Sequence, residues 1–165
     1  MIRCATSDVD ETRAVASKIA ASSGNGDLLA LFGGLGAGKT AFTQGFAAAI
    51  GIDEGVTSPT FALANRYQGR LVLNHIDAYR IGGAGESRDL GIDELLDDGV
   101  TLIEWADVIL DALPPDRLDV RMGFGDGDDD RVIDLLAHGE SWASRTDALA
   151  EALEAWTTQL KGSSC

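Results

Sequence analysis

The order of three short stretches between Leu28 and Ile50 constrains the fold more than any other feature of this chain. The run "LLALF", Leu28 to Phe32, is short and apolar throughout, the pattern of a strand covered on both faces, as in a parallel sheet. From Lys39 onward Phe42, Phe46 and Ile50 recur at helical spacing, and Gly51 is a natural stop. Between them lies "GGLGAGKT", Gly33 to Thr40, so the chain must pass from strand to helix through a glycine loop.

That loop matches G-x-x-x-x-G-K-[ST] in the context the pattern requires. Gly33, Gly36 and Gly38 allow backbone conformations that a Cβ forbids, so successive N–H groups can turn inward around phosphate oxygens. The helix adds its positive N-terminal end, and the Lys39 ammonium reaches the β and γ phosphates as a point charge. Thr40 offers a hydroxyl to Mg²⁺. A chance glycine turn is the alternative, but it would not need a buried strand before it and an amphipathic helix after it. The guanine-reading Asn-Lys-x-Asp pattern is absent, so adenine is the expected base.

A phosphate loop needs a carboxylate across the metal, at the end of a neighbouring buried strand. "LVLNHID" ends in Asp77 and "VTLIEW" carries Glu104, and the residues alone leave open which holds the metal and which positions water or a phosphate. "VTSPTF" places Thr57, Ser58 and Thr60 around Pro59 shortly after the helix, where phosphate-loop enzymes keep a switch segment. By itself it reads as a polar turn entering a strand. His75 fits a hydrogen-bonded core residue and a site neighbour equally. "DGDDDR" begins like a calcium loop, but Arg131 stands where glycine is needed and Ala137 where the bidentate glutamate belongs, so a solvated turn is expected.

The remaining elements follow from local pattern. Asp8 to Ser23 reads as a first helix, with Asp8 and Glu11 placed as a capping box. "TFALANRY" and "LVLNHID" flank "QGR" as a hairpin, and "LDVRMGF" and "RVIDLLA" flank "GDGDDD" as another. Roughly Ser87 to Asp98 is a second helical region. Leu149, Leu153, Trp156 and Leu160 give a terminal amphipathic helix over Ser141 to Leu160. Helices interleaved with buried strands predict a three-layer α/β fold with a mixed, mostly parallel central sheet. Residues 1–160 are read as one domain and 161–165 as a flexible tail.

Charge and cysteine usage narrow the function further. A formal net charge of −14 repels phosphate backbones, so direct RNA or DNA binding is not expected and a basic protein partner is. Of three lysines among 13 basic residues, one falls inside the loop. Two cysteines, Cys4 and Cys165, are too few and too far apart for a disulfide framework or zinc site. No apolar run approaches membrane-span length and no secretory layout opens the chain, so a cytoplasmic protein is expected.

Together, "LFGGLGAGKTAFTQGFAAAIG", "VTSPTF", "HIDAYRI", "DLGIDELL" and "LIEWAD" resemble, in order and spacing, the bacterial TsaE family, the small ATPase of tRNA threonylcarbamoyladenosine synthesis. The resemblance runs from "DETRAVASKIA" to "RVIDLLAHG". It implies a P-loop NTPase fold that binds MgATP, hydrolyses it slowly alone, and works with the transferase TsaD and its companion TsaB, which hold the tRNA. It implies ATP contacts from Gly33, Leu35, Gly36, Ala37, Gly38, Lys39, Thr40 and Ala41, with Thr12 and Arg131 near base and sugar. Mg²⁺ falls to Thr40 and Glu104, Asp77 becomes the catalytic carboxylate, and Thr57, Ser58 and Thr60 the switch. Gly34 stands where the family commonly has an acidic residue and Ala41 where it has threonine; neither removes a phosphate donor. The segment beyond Gly139 lies outside the match. Two rivals remain at this level: a small-molecule kinase, for which Arg66, Arg70, Arg80 and Arg88 would supply a lid, and a nucleotide-sensing module that never cleaves ATP.

Overall fold

The computed structural model describes residues 1–59, 64–81 and 91–157. Seven strands, β1 (Ile2–Thr6), β2 (Leu28–Phe32), β3 (Ala64–Gln68), β4 (Val72–Asp77), β5 (Val100–Glu104), β6 (Arg117–Phe124) and β7 (Arg131–His138), form one sheet in the order β1-β7-β6-β2-β5-β4-β3. The middle four, β6, β2, β5 and β4, run parallel, and the outer pairings are antiparallel. Both expected hairpins are present, as β3–β4 and β6–β7.

β2 sits mid-sheet, and its unbroken apolar sequence is explained by what covers it. Leu29 and Leu31 join Val15 and Ile19 of α1 (Val9–Ala21) and Phe42 and Phe46 of α2 (Lys39–Ala49) in one core. Leu28 and Ala30 face the opposite side with Ile76, Ile103, Ile109 and Ile92, the last on α3 (Ile92–Leu96). Each large side chain buried this way contributes about 1.5–3 kcal/mol. Two cores on two faces make the three layers. α1 starts as expected: the Glu11 N–H donates to Asp8 Oδ1 at 2.8 Å. The returning half of the box goes one residue further back, from the Ser7 N–H to Glu11 Oε2 at 2.7 Å.

Two readings change. β1 has no counterpart among the predicted elements, although Ile2, Cys4 and Thr6 alternate inward along it. The terminal helix is not continuous; it splits into α4 (Glu140–Ala143), α5 (Thr146–Ala152) and a 3-10 turn, Glu154–Trp156. Arg145 stands at the break, where its guanidinium forms a fork with Asp27 at 2.7 Å on both oxygens and donates to Ser22 O at 2.7 Å. The charge-assisted pair anchors Arg145, and Ser144 Oγ and Thr146 Oγ1 donate to Ser141 O at 2.9 Å and Trp142 O at 3.2 Å, local bonds that compete with a helical ladder. Leu149 and Leu153 still reach the core, and Thr157 bridges to Cys4. The described part of the second helical region is only α3; its start, Thr60 to Leu63 of the first hairpin strand, Leu160 and the tail with Cys165 lie outside the described residues.

The "GDGDDD" turn is exposed and closed by Asp130, whose Oδ2 accepts from the Gly127 N–H at 2.9 Å, as a solvated turn should be. Cys4 is a free, buried thiol; burial, with Asp134 nearby, pushes its pKa up to about 11. Among the described residues no helix is long and apolar enough to cross a membrane.

Candidate nucleotide site at the ends of the parallel strands

Parallel strands leave their C-terminal ends on one side of the sheet, where loops can converge. Leu31 of β2 lies in register with Glu104 of β5, and Glu104 with Asp77 of β4. The loop leaving β2 therefore opens beside two carboxylates. Its shape depends on glycine at particular points. Gly33 has φ +154°, and a Cβ there would stand 2.6 Å from Met122 O. Gly38 caps α2 in the left-handed region, φ 103°. These conformations let the α2 N-terminus face outward with its backbone N–H groups free of side-chain caps.

Lys39, the first residue of α2, is only 5% exposed. Its Nζ donates to Gly33 O at 2.6 Å and Gly34 O at 2.9 Å, and lies 3.9 Å from the centre of the Trp105 ring. Burial pushes its pKa below the ordinary lysine value, opposed by the charges of Glu104, Asp107 and Asp77. The ammonium thus sits on its own loop, balanced by two strand-end carboxylates.

Glu104 is 2% exposed. Its Oε1 accepts from His75 Nε2 at 2.9 Å and from Thr43 Oγ1 at 3.3 Å. Asp77 is half-buried and accepts the Tyr79 N–H at 3.0 Å. Thr40 Oγ1 lies 3.3 Å from Ser58 Oγ, and Gln44 Nε2 donates to Val56 O at 3.3 Å, tying the segment after α2 to the helix. A pocket of about 450 Å³ collects Leu35, Gly36, Gly38, Lys39, Thr40, Ala41, Ser58, Asp77 and Glu104. Beside it a hollow of about 70 Å³ is shared by Thr12, Gly38, Ala41 and Arg131. Arg131 donates to Gly36 O at 3.1 Å and stacks on Phe124.

The structure thus brings together most residues expected from the sequence. Ala37 is buried under the loop, its N–H given to Gly34 O at 3.1 Å, so its side chain is core. Thr57 is exposed and outside the pocket, and Thr60 and Arg88 lie outside the described residues. Of the arginines considered for a kinase lid, Arg66 is paired with Asp98 at 2.5 Å and Arg70 donates to Ala20 O at 3.2 Å. A larger hollow, about 530 Å³ between α3 and the 3-10 segment Ala106–Ala112, contains none of the expected residues.

Residues absent from the sequence reading also line or support the site. Trp105 and Tyr79 stand with ring centres 4.9 Å apart at its rim, and Trp105 adopts φ 57°, rare for a non-glycine residue. Thr43 follows Lys39 by four residues, the helical spacing that puts both on one face, and was legible to that extent. Thr40 and Glu104 both line the pocket and supply hydroxyl and carboxylate oxygens, the hard donors that suit Mg²⁺.

The sequence model described as "Threonylcarbamoyl adenosine biosynthesis protein TsaE" matches residues 6–133. The protein named tRNA threonylcarbamoyladenosine biosynthesis protein TsaE from Bacillus subtilis (strain 168) is 44% identical over 147 residues, covering 88% of this chain and 91% of that protein. The protein of the same name from Streptomyces coelicolor is 40% identical, with 72% and 85% covered. The crystal structure of Bacillus subtilis YdiB superposes with a TM-score of 0.72 at 38% identity, covering 94% of this chain and 97% of that one. With its loop, strand order and both partnered carboxylates in the positions described, the chain belongs to the TsaE family.

Proposed function

We propose that this chain is a MgATP-binding ATPase, slow alone and productive with TsaD and TsaB. It would support transfer of a threonylcarbamoyl group to N6 of the adenosine beside the anticodon in tRNAs that read codons starting with A. The observation that carries this is the convergence of the loop residues Leu35, Gly36, Gly38, Lys39 and Thr40 with Asp77 and Glu104 on one pocket at the ends of three parallel strands.

Each residue has a task that follows from its position. The loop amides and the α2 N-terminus orient the phosphates. Lys39 exchanges Gly33 O and Gly34 O for phosphate oxygens, whose negative charge offsets the burial that lowers its pKa. Thr40 and Glu104 would hold Mg²⁺, which when bound draws charge from the phosphate oxygens. Asp77, one oxygen engaged by Tyr79 N–H, has acceptor capacity left to orient water and take its proton. Ser58, already against Thr40, with Thr57 and Thr60, forms the switch segment. Thr12, Ala41 and Arg131 border the base and sugar. The net charge of −14 disfavours direct contact with the tRNA backbone, which on this reading is held by the partners.

The test is phosphate release with MgATP, by the chain alone and with TsaB and TsaD. Weak basal release raised severalfold by the partners is expected. Phosphorylation of a metabolite in place of water, or ATP binding with no release under either condition, overturns the reading.

A further inference from the structure

We propose that His75 is a positioning residue for Glu104, holding the carboxylate so that its second oxygen is available to the divalent cation. This rests on the MgATP reading above and assigns it a residue that does not itself touch the ligand.

The argument starts from where His75 sits. It lies on β4 in register with Asn65 of β3 and Leu102 of β5, fully buried, and takes no part in the pocket lining. Its Nε2 stands 2.9 Å from Glu104 Oε1. A carboxylate only accepts, so the hydrogen is on Nε2. The other ring nitrogen, Nδ1, is buried with no hydrogen-bond partner among the described residues. An interior position with an unsatisfied polar atom is a poor choice for packing alone, since an apolar side chain fills the space without that penalty. The one polar contact the imidazole makes among the described residues, to Glu104, is therefore what the residue provides.

The neighbouring donor does not make it redundant. Thr43 has one hydroxyl hydrogen, and it is divided between Lys39 O at 3.0 Å and Glu104 Oε1 at 3.3 Å. His75 gives the shorter and undivided bond. Among the described residues both bonds end on Oε1, which fixes the carboxylate plane and leaves Oε2 for the cation. Groups in this outer position around metal ligands typically change metal affinity by about 10- to 100-fold when removed.

The test uses the full chain with ATP and Mn²⁺ as a paramagnetic probe for the Mg²⁺ site, read by electron paramagnetic resonance, with metal-free ATP binding followed by calorimetry. His75→Leu is expected to weaken Mn²⁺ binding in the ATP complex by about 10- to 100-fold while metal-free ATP affinity stays within about twofold. His75→Gln, which restores a donor near the Nε2 position, recovers most of the loss. Should His75→Leu not fold, His75→Asn takes its place, because its shorter amide stops short of Glu104. Equal Mn²⁺ affinity in wild type and the donor-less variant overturns the inference, as does equal weakening in the glutamine variant and the donor-less one. If the wild type itself binds no Mn²⁺ with ATP, the functional reading falls first.

Discussion

Glu104 and Asp119 stand on the two strands that flank β2, one on each face of the sheet, and both are buried carboxylates with a histidine 2.9 Å away. Their remaining partners differ. Asp119, 0% exposed, accepts from Arg117 Nε at 2.8 Å on one oxygen, and from His138 on the other with Arg121 at 3.5 Å. Among the described residues no arginine pairs with Glu104, and its bonds end on one oxygen. A buried charge must be compensated. Asp119 is compensated completely by the fold, on the side of the sheet built from β6, β7 and β1. Glu104 is oriented but left with acceptor capacity, on the side built from β2, β5 and β4. Saturation marks a carboxylate that holds structure, and a spare oxygen marks one that can hold a ligand.

The comparison breaks most directly at Glu104. Glu104→Gln should lower partner-stimulated phosphate release by about a thousandfold, about 4 kcal/mol in barrier height. Its unfolding free energy in urea should stay within about 1 kcal/mol of wild type. Stability lost without activity lost would make Glu104 a structural residue like Asp119.

The reverse is expected for Asp119→Asn. Leaving Arg117 and His138 without their carboxylate should cost about 3 kcal/mol in urea unfolding, with ATP affinity unchanged. A selective loss of nucleotide binding would contradict the division between the two sides of the sheet.

On the structural side, Cys4 predicts a pH effect. Its folded pKa, about 11, is raised above the unfolded 9.0, so the folded state favours the protonated thiol. Stability from this group is present below pH 9.0 and is lost as pH rises to about 11. The difference between wild type and Cys4→Ala should shrink over that window by about 2 kcal/mol, measured by denaturant titrations at several pH values. A difference independent of pH would show the thiol is not held as described.

The smallest effect sharpens the loop itself. At Gly34 nothing lies within 4 Å of an added Cβ and φ is not positive, so Gly34→Ala should change melting stability by less than about 0.5 kcal/mol and leave ATP affinity intact. Gly33→Ala, whose new methyl meets Met122 O, should lose ATP affinity in the same calorimetric titration.

Much of this molecule was legible where local pattern and fold agree. β2, the glycine loop and α2 announce themselves because an apolar run, residues able to adopt positive φ and a helical repeat succeed one another without interruption. Both hairpins were legible because turn residues separate runs of strand-forming residues. The misses share the opposite property. β1 is five residues of mixed polarity whose alternation becomes meaningful only beside β7. The terminal helix reads as continuous from its apolar repeat alone; at the break Ser144 and Thr146 hydroxyls take up local carbonyls and Arg145 is held by Asp27 and Ser22, over a hundred residues earlier. His75 was ambiguous for the same reason, since its partner lies on another strand.

The sequence by itself determined that a phosphate-type loop sits between a buried strand and a helix, and that two acidic residues end two further strands. Such features depend on neighbours a few residues apart, and backbone preference and side-chain periodicity encode them locally. Only the tertiary structure decided which carboxylate is saturated and which keeps a spare oxygen, where Lys39 rests, and that His75 stands behind Glu104. Those outcomes depend on strand order and register, which set distances between residues far apart in the chain, and hydrogen bonds and charges act over ångströms in space rather than positions in sequence.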